Sequence, residues 1–315
     1  MPVLKWRWVA AAAGVVAVVT AGLLWLLLGW SGSPDAPVRI DAVKTAFGIG
    51  AGAGGVFALW LATRRQRTLE LQLAETTRVA GVTERDLEER RVTELYTKAV
   101  EQLGSDKAPM RFGGLYALER LGQDNPKQRQ TIVNVLCAYL RMPFKPPDVG
   151  LKGSAARDLD DSPEESELLV RLAVQELLKT HLSHDAAGYW PGMSIDLQRA
   201  TLVDFRLSGC TLAAADFSRA RFVGQLHIRG THFARQAGFY GTEFRDIANF
   251  DRSVFEEGAF FSRAHFAGSV RFTRIRSGGR FEFSRTVFEE GADFEGGEHQ
   301  ELDLSDARFP QDGTK

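Results

Sequence analysis

Cysteine is almost missing: Cys137 and Cys210 are the only two among 315 residues, too few for a disulfide framework. An excess of either charge is missing as well. Lys plus Arg number 39 against 40 Asp plus Glu, so bulk charge predicts no nucleic-acid partner. No nucleophile–base pair, carboxylate dyad or complete metal set stands out, so neither an enzyme nor a cofactor is expected. His181-x-x-His184 is half of a metal site with nothing to complete it, and the plainer reading is a frayed helix end. Charge is also missing locally: no charged residue lies between Arg7 and Asp35. What is present is unevenly placed. Seventeen of 21 phenylalanines follow position 200, and four of six tryptophans precede position 31, which divides the chain by composition.

The first 63 residues read as a membrane anchor. Val9–Trp30 is almost wholly apolar and reaches about 33 Å as a helix, enough to cross a bilayer core. A second uncharged run, Thr45–Thr63, reaches about 28 Å. Two transmembrane helices, about 9–30 and 45–63, are therefore expected as a hairpin. Basic residues flank both outer ends (Lys5 and Arg7, then Arg64, Arg65 and Arg67), which predicts a multi-pass plasma-membrane protein with the N-terminus and the C-terminal part in the cytoplasm. A cleavable signal peptide is the competing reading of the first run. Gly50-x-Gly52-x-x-Gly55 matches the dinucleotide fingerprint in letters, but no strand, βαβ unit or later acid accompanies it. Gly48, Gly50, Gly52 and Gly54 read instead as helix-packing glycines, able to bring the span against its neighbour or against a second copy of the chain.

Residues 64–190 change to a charged, helical composition. "ERDLEERR" (Glu84–Arg91) reads as the solvated face of a coiled-coil-like helix, with Val92, Leu95, Ala99 and Leu103 at helical spacing. Asn125-Pro126 and Ser162-Pro163 each supply an N-cap, a proline at the first helical position and a Gln or Glu three residues after the cap. The helices they open, about Pro126–Arg141 and Pro163–Leu182, carry the stripes Ile132, Val135, Leu136, Tyr139 and Leu168, Leu169, Leu172, Leu177. Residues 142–161, with Pro143, Pro146 and Pro147, read as a mobile loop.

From Leu197 a large apolar residue recurs. Leu202, Leu207, Leu212, Phe217 and Phe222 follow at steps of five. The steps then alternate six and five through Ile228, Phe233, Phe239, Phe244, Phe250, Phe255, Phe261, Phe266 and Phe272. Phe283, Phe288 and Phe294 continue the series, and Ser277 takes one large slot. Two positions before each the residue is usually small, as at Ala200, Ala215, Thr242, Ala259 and Ala292. "VFEEGAFF" at Val254 and "VFEEGADF" at Val287 are therefore the same unit three eleven-residue periods apart. A five-residue period with paired large and small positions fits a square coil, in which each side turns one large and one small side chain inward.

This pattern resembles the pentapeptide repeat family. "ADFSR" (Ala215–Arg219) and "ADFEG" (Ala292–Gly296) fit its small–Asp/Asn–Leu/Phe motif, and "ANFDR" (Ala248–Arg252) nearly does. The resemblance covers Ile195–Phe309 and implies a right-handed, four-sided parallel β-helix of about five to six coils over residues 191–310, followed by a tail at 311–315. The six-residue steps depart from the strict motif, and Gly224, Gly258, Gly268, Gly279 and Gly291 fall within them, as a glycine-assisted corner bulge requires. Asp196, Asp204, Asp216 and Asp293 read as corner hydrogen-bonders. Tyr189-Trp190-Pro191 is a candidate cap for the first coil.

Arg252, Arg263, Arg274 and Arg285 stand eleven apart, each two residues after a phenylalanine. They form a candidate outer ladder for anionic lipid, nucleic acid or an acidic partner. A solvated edge balanced by nearby acids is the plainer reading, because 15 Arg and one Lys face 18 acids from Gly192 onward. Together these features predict a bacterial-type, membrane-anchored pentapeptide repeat protein, a non-enzymatic scaffold for an unidentified protein partner, with nucleic acid disfavoured. The alternatives are a DNA mimic that protects topoisomerase and an accessory subunit of a membrane transport or signalling assembly.

Overall fold

A computed structural model describes residues 6–30, separate helical positions between 40 and 62, and residues 86–147 and 162–310. The chain divides into two units, Met1–Glu89 and Arg90–Lys315. In the first, α1 runs Trp6–Trp30 with no acidic residue in its first turn and no basic residue in its last. Among the described residues no helix is long and apolar enough to cross a membrane. The expected two-span hairpin is therefore not supported. Several α1 side chains, much of Thr45–Thr63 including Gly50 and Gly54, and most of the basic flanks lie outside the described residues. Gly48 and Gly52 are described, and a Cβ built on either meets nothing within 4 Å.

The second unit starts with a helical collar. The part of the helix over 86–103 (α2) that lies in this unit packs on α3 (Ala108–Asp124), where Gly114 lets the backbones meet: a Cβ there would lie 2.5 Å from the Ala99 carbonyl oxygen. Ala99 and Leu103 are buried as expected, but Leu95 faces out, and Tyr96 and Val100 pack against the core in its place. The coiled-coil expectation for α2 is not shown. Asn125 closes the C-terminus of α3 and makes no side-chain N-cap bond to the next helix. Its side-chain amide donates back to the Leu121 carbonyl, and a short 3-10 turn, Pro126–Gln128, leads into α4 (Arg129–Arg141). Ser162 does cap α5 (Pro163–Leu182), its hydroxyl accepting from the Glu165 amide at 3.2 Å. On α5 Leu169 points outward while Val170, Val174 and Leu178 are buried. Only 142–147 of the expected loop is described. Buried Arg171 holds its start by donating to the carbonyls of Leu140 and Met142 and by lying over Phe144, 4.4 Å from the ring centroid.

Residues 194–309 wind as a right-handed parallel solenoid of about 5 turns. Strand pairing sets the coil length. Ser194 pairs with Ala214 and Thr201 with Arg221, twenty residues apart. Ala237 pairs with Ala259 and Ala248 with Val270, twenty-two apart. The change follows the step from five-residue sides to alternating fives and sixes, so two eleven-residue units make one turn. Four columns of large side chains fill the interior. The first side stacks Phe217, Phe239, Phe261 and Phe283 with ring centroids 5.0, 4.5 and 4.9 Å apart. The second side stacks Phe222, Phe244, Phe266 and Phe288 at 5.1, 4.3 and 5.1 Å. The third carries Phe250, Phe272 and Phe294 at 4.9 and 5.2 Å, set edge-on to the first. The fourth carries Phe233 over Phe255 at 4.9 Å.

The fourth column breaks at Ser277, and the structure shows why the coil tolerates it. Ala259, in a small slot, pairs with Phe281 in the next coil, while Phe255, in a large slot, pairs with Ser277. Large and small have exchanged places across one corner. Phe281 is fully buried, with its ring centroid 5.6 Å from Phe255 and 4.8 Å from Phe283. The interior volume is thereby kept, as close packing demands.

Candidate interaction surface

The outward chemistry of the solenoid is decided at its corners, which alternate between two kinds. From Phe222 onward, six-residue corners follow the second and fourth sides. There Gly258 adopts φ +98° and lies so close to the next coil that a Cβ would sit 2.2 Å from the Arg280 carbonyl oxygen; Gly224 and Gly291 also take positive φ, whereas Gly268 and Gly279 do not. Five-residue corners follow the first and third sides, and the residue two after the large apolar one adopts the left-handed conformation there. Gly209, Gly230, Gly241 and Gly296 occupy that place at φ +61° to +70°. So do Arg199, Arg219, Arg252, Arg263, Arg274 and Arg285 at φ +54° to +59°. A non-glycine residue in this region costs about 1 kcal/mol or more. Its return is backbone pairing between coils, for example the Arg263 amide donating to the Ser284 carbonyl at 2.9 Å.

The expected ladder of Arg252, Arg263, Arg274 and Arg285 is thus real as a set of equivalent corners. It does not form one row, because eleven residues are half a turn. Arg252 and Arg274 fall on the corner after the third side, and Arg263 and Arg285 on the corner diagonally across. The two pairs differ in their neighbours. Buried Asp251 accepts from Arg274 at 2.7 Å and from the Thr273 hydroxyl at 2.7 Å, with Arg229 at 3.2 Å and Arg252 at 3.8 Å. Burial pushes the Asp251 carboxyl up, but the hydrogen bonds from Thr273 and Arg274 outweigh it and hold the group below its ordinary value. In contrast, the Arg263 guanidinium lies over the Tyr240 ring at 5.8 Å with no ion pair among the described residues, and Arg285 reaches Asp306 at 3.9 Å.

Acidic residues are similarly divided. Glu256 and Glu257 sit at the corner after the fourth side, and Glu289 and Glu290 at the corner after the second, so the repeated "VFEEGA" phrase places its acids on opposite corners. His232 and His265 cover one acid of each pair, at 2.9 Å from Glu256 and 2.7 Å from Glu289. The corner role expected of aspartates holds at Asp196, Asp216 and Asp293, whose side chains accept the amides of Gln198, Ser218 and Glu295. Asp204 instead accepts the Gln225 amide of the next coil.

One end of the solenoid is closed by the collar. Gln130 of α4 bonds Ser194 from both ends of its amide, accepting the Ser194 amide and donating to its carbonyl at 2.9 Å each. Gln175 of α5 donates to the Val203 carbonyl at 2.9 Å. These contacts satisfy strand edges that the first coil would otherwise expose. Trp190 is fully buried at this junction and stacks on His181 at 4.2 Å, against Gly122. His181 is no frayed end: its Nδ1 lies 2.7 Å from the Gly188 carbonyl oxygen and its Nε2 2.9 Å from the Glu119 carboxylate. The spacing of the two histidines carried no sign of this, because Glu119 is 62 residues away.

Among the described residues no group of three or more His, Cys, Asp or Glu could hold a metal ion. Burial pushes the thiols of Cys137 and Cys210 up to about 12, which removes them as nucleophiles at neutral pH. A family model described as pentapeptide repeats (8 copies) matches residues 194–224, and a second, pentapeptide repeats (9 copies), matches 239–287. No curated protein and no solved structure matches the chain. The two matches and the solenoid together support the pentapeptide repeat family.

Proposed function

We propose that this pentapeptide repeat protein is a non-enzymatic scaffold that offers the solenoid wall to a protein partner. The observation carrying this reading is the separation of core from surface. Stacked phenylalanine columns and inter-coil backbone bonds define the wall independently of the outward residues, so those residues are available for recognition at fixed spacing. Among the described residues, Tyr240 and Ile247 stand exposed on the solenoid. A DNA-mimic role is disfavoured, because duplex DNA carries a charge about every 1.7 Å and the acid pairs here lie on opposite corners.

The test places a photo-crosslinking residue at Tyr240 or at Ile247 in the full chain, in its native cells. The reading expects a discrete protein adduct from at least one position, lost when Phe261→Asp breaks the coil. Adducts to nucleic acid alone, or protein adducts that persist in the broken coil, would overturn it.

A further inference from the structure

One edge of the solenoid is basic in a way that the opposite edge is not. The corner after the first side carries, coil by coil, Arg199, Arg219, Gly241, Arg263, Arg285 and Asp306, all at positive φ. All four arginines are exposed. Among the described residues Arg199, Arg219 and Arg263 have no ion pair, and Arg285 meets only Asp306 at 3.9 Å. On the diagonal corner Arg252 and Arg274 are drawn onto buried Asp251. Glycine would serve all of these positions without strain, and does serve four, so the backbone does not explain the free arginines.

We propose that this edge binds an extended acidic peptide segment of a partner protein, running along the solenoid axis. The inference rests on the scaffold reading and adds the chemistry of the partner. From Arg199 to Arg285 is four coils, about 19 Å at the spacing of stacked strands, which a peptide of about six extended residues spans. Arginine suits carboxylates because its guanidinium can donate two parallel hydrogen bonds. Tyr240 stands exposed beside Gly241 in the gap of the row, with the Arg263 guanidinium over its ring.

The flanks decide the class of partner. On the first side Asp216 and Glu282 point outward, and Glu282 accepts from the Ser262 and Ser284 hydroxyls. On the second side Glu243 is held by Arg221, and at the corner beyond it Glu289 is held by His265. Acids therefore border the basic strip on the first side, whereas the outward row of the second side sets Arg221 and Arg308 in line with Glu243. A duplex or an anionic membrane would press its own charge against those acids within a Debye length of about 8–10 Å, whereas a single extended chain meets only the corner. Concave patches of about 410, 360 and 370 Å³ on the solenoid are lined by residues other than these four arginines.

Fluorescence anisotropy with the full chain and fluorescein-labelled hexaglutamate tests the assignment. Arg219→Gly with Arg263→Gly should weaken binding about tenfold while the circular dichroism spectrum is kept, since two exposed charge pairs are lost at positions where glycine fits. Arg252→Gly, on the other edge, should leave the affinity unchanged. Equal affinity of the double variant and the parent would overturn the proposal, as would tighter binding of a DNA duplex or of phosphatidylserine vesicles at the same salt. If Tyr240 still crosslinks a protein while the double variant binds hexaglutamate like the parent, the scaffold stands and the edge assignment falls.

Discussion

The collar and the solenoid bury their apolar residues by opposite means. In the collar each contact is particular: Gly114 admits the α2 backbone, Gly122 admits Trp190, and Arg171 gathers two carbonyls and two aromatic rings. In the solenoid one contact is repeated, a phenylalanine on the phenylalanine a coil away at 4.3–5.2 Å. A repeated contact makes every coil depend on its neighbours. A particular contact makes a single site matter. The same kind of substitution should therefore have different consequences in the two regions.

The largest effect should come from charge placed in the columns. Phe261 lies between Phe239 and Phe283, and Phe261→Asp leaves an unpaired carboxylate among rings, costing several kcal/mol. Chemical denaturation of the second unit should show this. A variant about as stable as the parent would mean that the column is not the core.

Next in size is the exchanged pair. Phe281→Ala should cost about 3–5 kcal/mol, as for other large-to-small core changes. Ser277→Phe in the same chain restores the regular pattern of large and small slots, so the double variant should recover part of that loss. A double-mutant cycle with no coupling between 277 and 281 would show that the two sites do not share one space.

Smaller effects are expected where a single polar contact is removed. Ser162→Ala deletes the α5 cap and should cost about 1 kcal/mol. In the solenoid, Asp251 ties its carboxyl to Thr273 and Arg274. Its folded pKa lies below its unfolded one, so its contribution is present above the ordinary carboxylate range of about 4 and is lost as pH falls through the lower folded value. Asp251→Asn should flatten the acid limb of the stability profile. An unchanged limb would mean that other carboxylates govern it.

Legibility in the sequence followed the same division. The 22-residue stack of Phe239, Phe261 and Phe283 could be written down from spacing, because one rule repeats and each error is corrected by the next coil. Phe281 escaped because it sits in a small slot, and only its neighbour's wrong size, Ser277, hinted at it. The corner arginines were visible as a period, but their split into two edges needed the coil count, and their pairing needed Asp251. In the collar the stripes misplaced Leu95 and Leu169, since helical spacing alone does not say which flank of a stripe meets a partner. His181 was misread because Trp190 and Glu119, which define its surroundings, come from distant segments.

The smallest expected effect is also the one whose sign separates the regions. Arg120 is exposed near the end of α3, and Arg263 is exposed at a solenoid corner. In the helix, Arg120→Gly loosens a chain that must stay α-helical and should cost about 1 kcal/mol. At the corner the backbone is already at φ +59°, a conformation that glycine adopts without strain. Arg263→Gly should therefore be neutral or stabilising by up to about 1 kcal/mol, the relief of strain offsetting the extra freedom of the unfolded chain. Arg263→Ala keeps the Cβ and should stay within about 0.5 kcal/mol of the parent. Thermal unfolding of the three variants decides the matter. A loss at Arg263→Gly as large as at Arg120→Gly would mean that the arginine side chain, and not the corner backbone, holds that edge of the coil together.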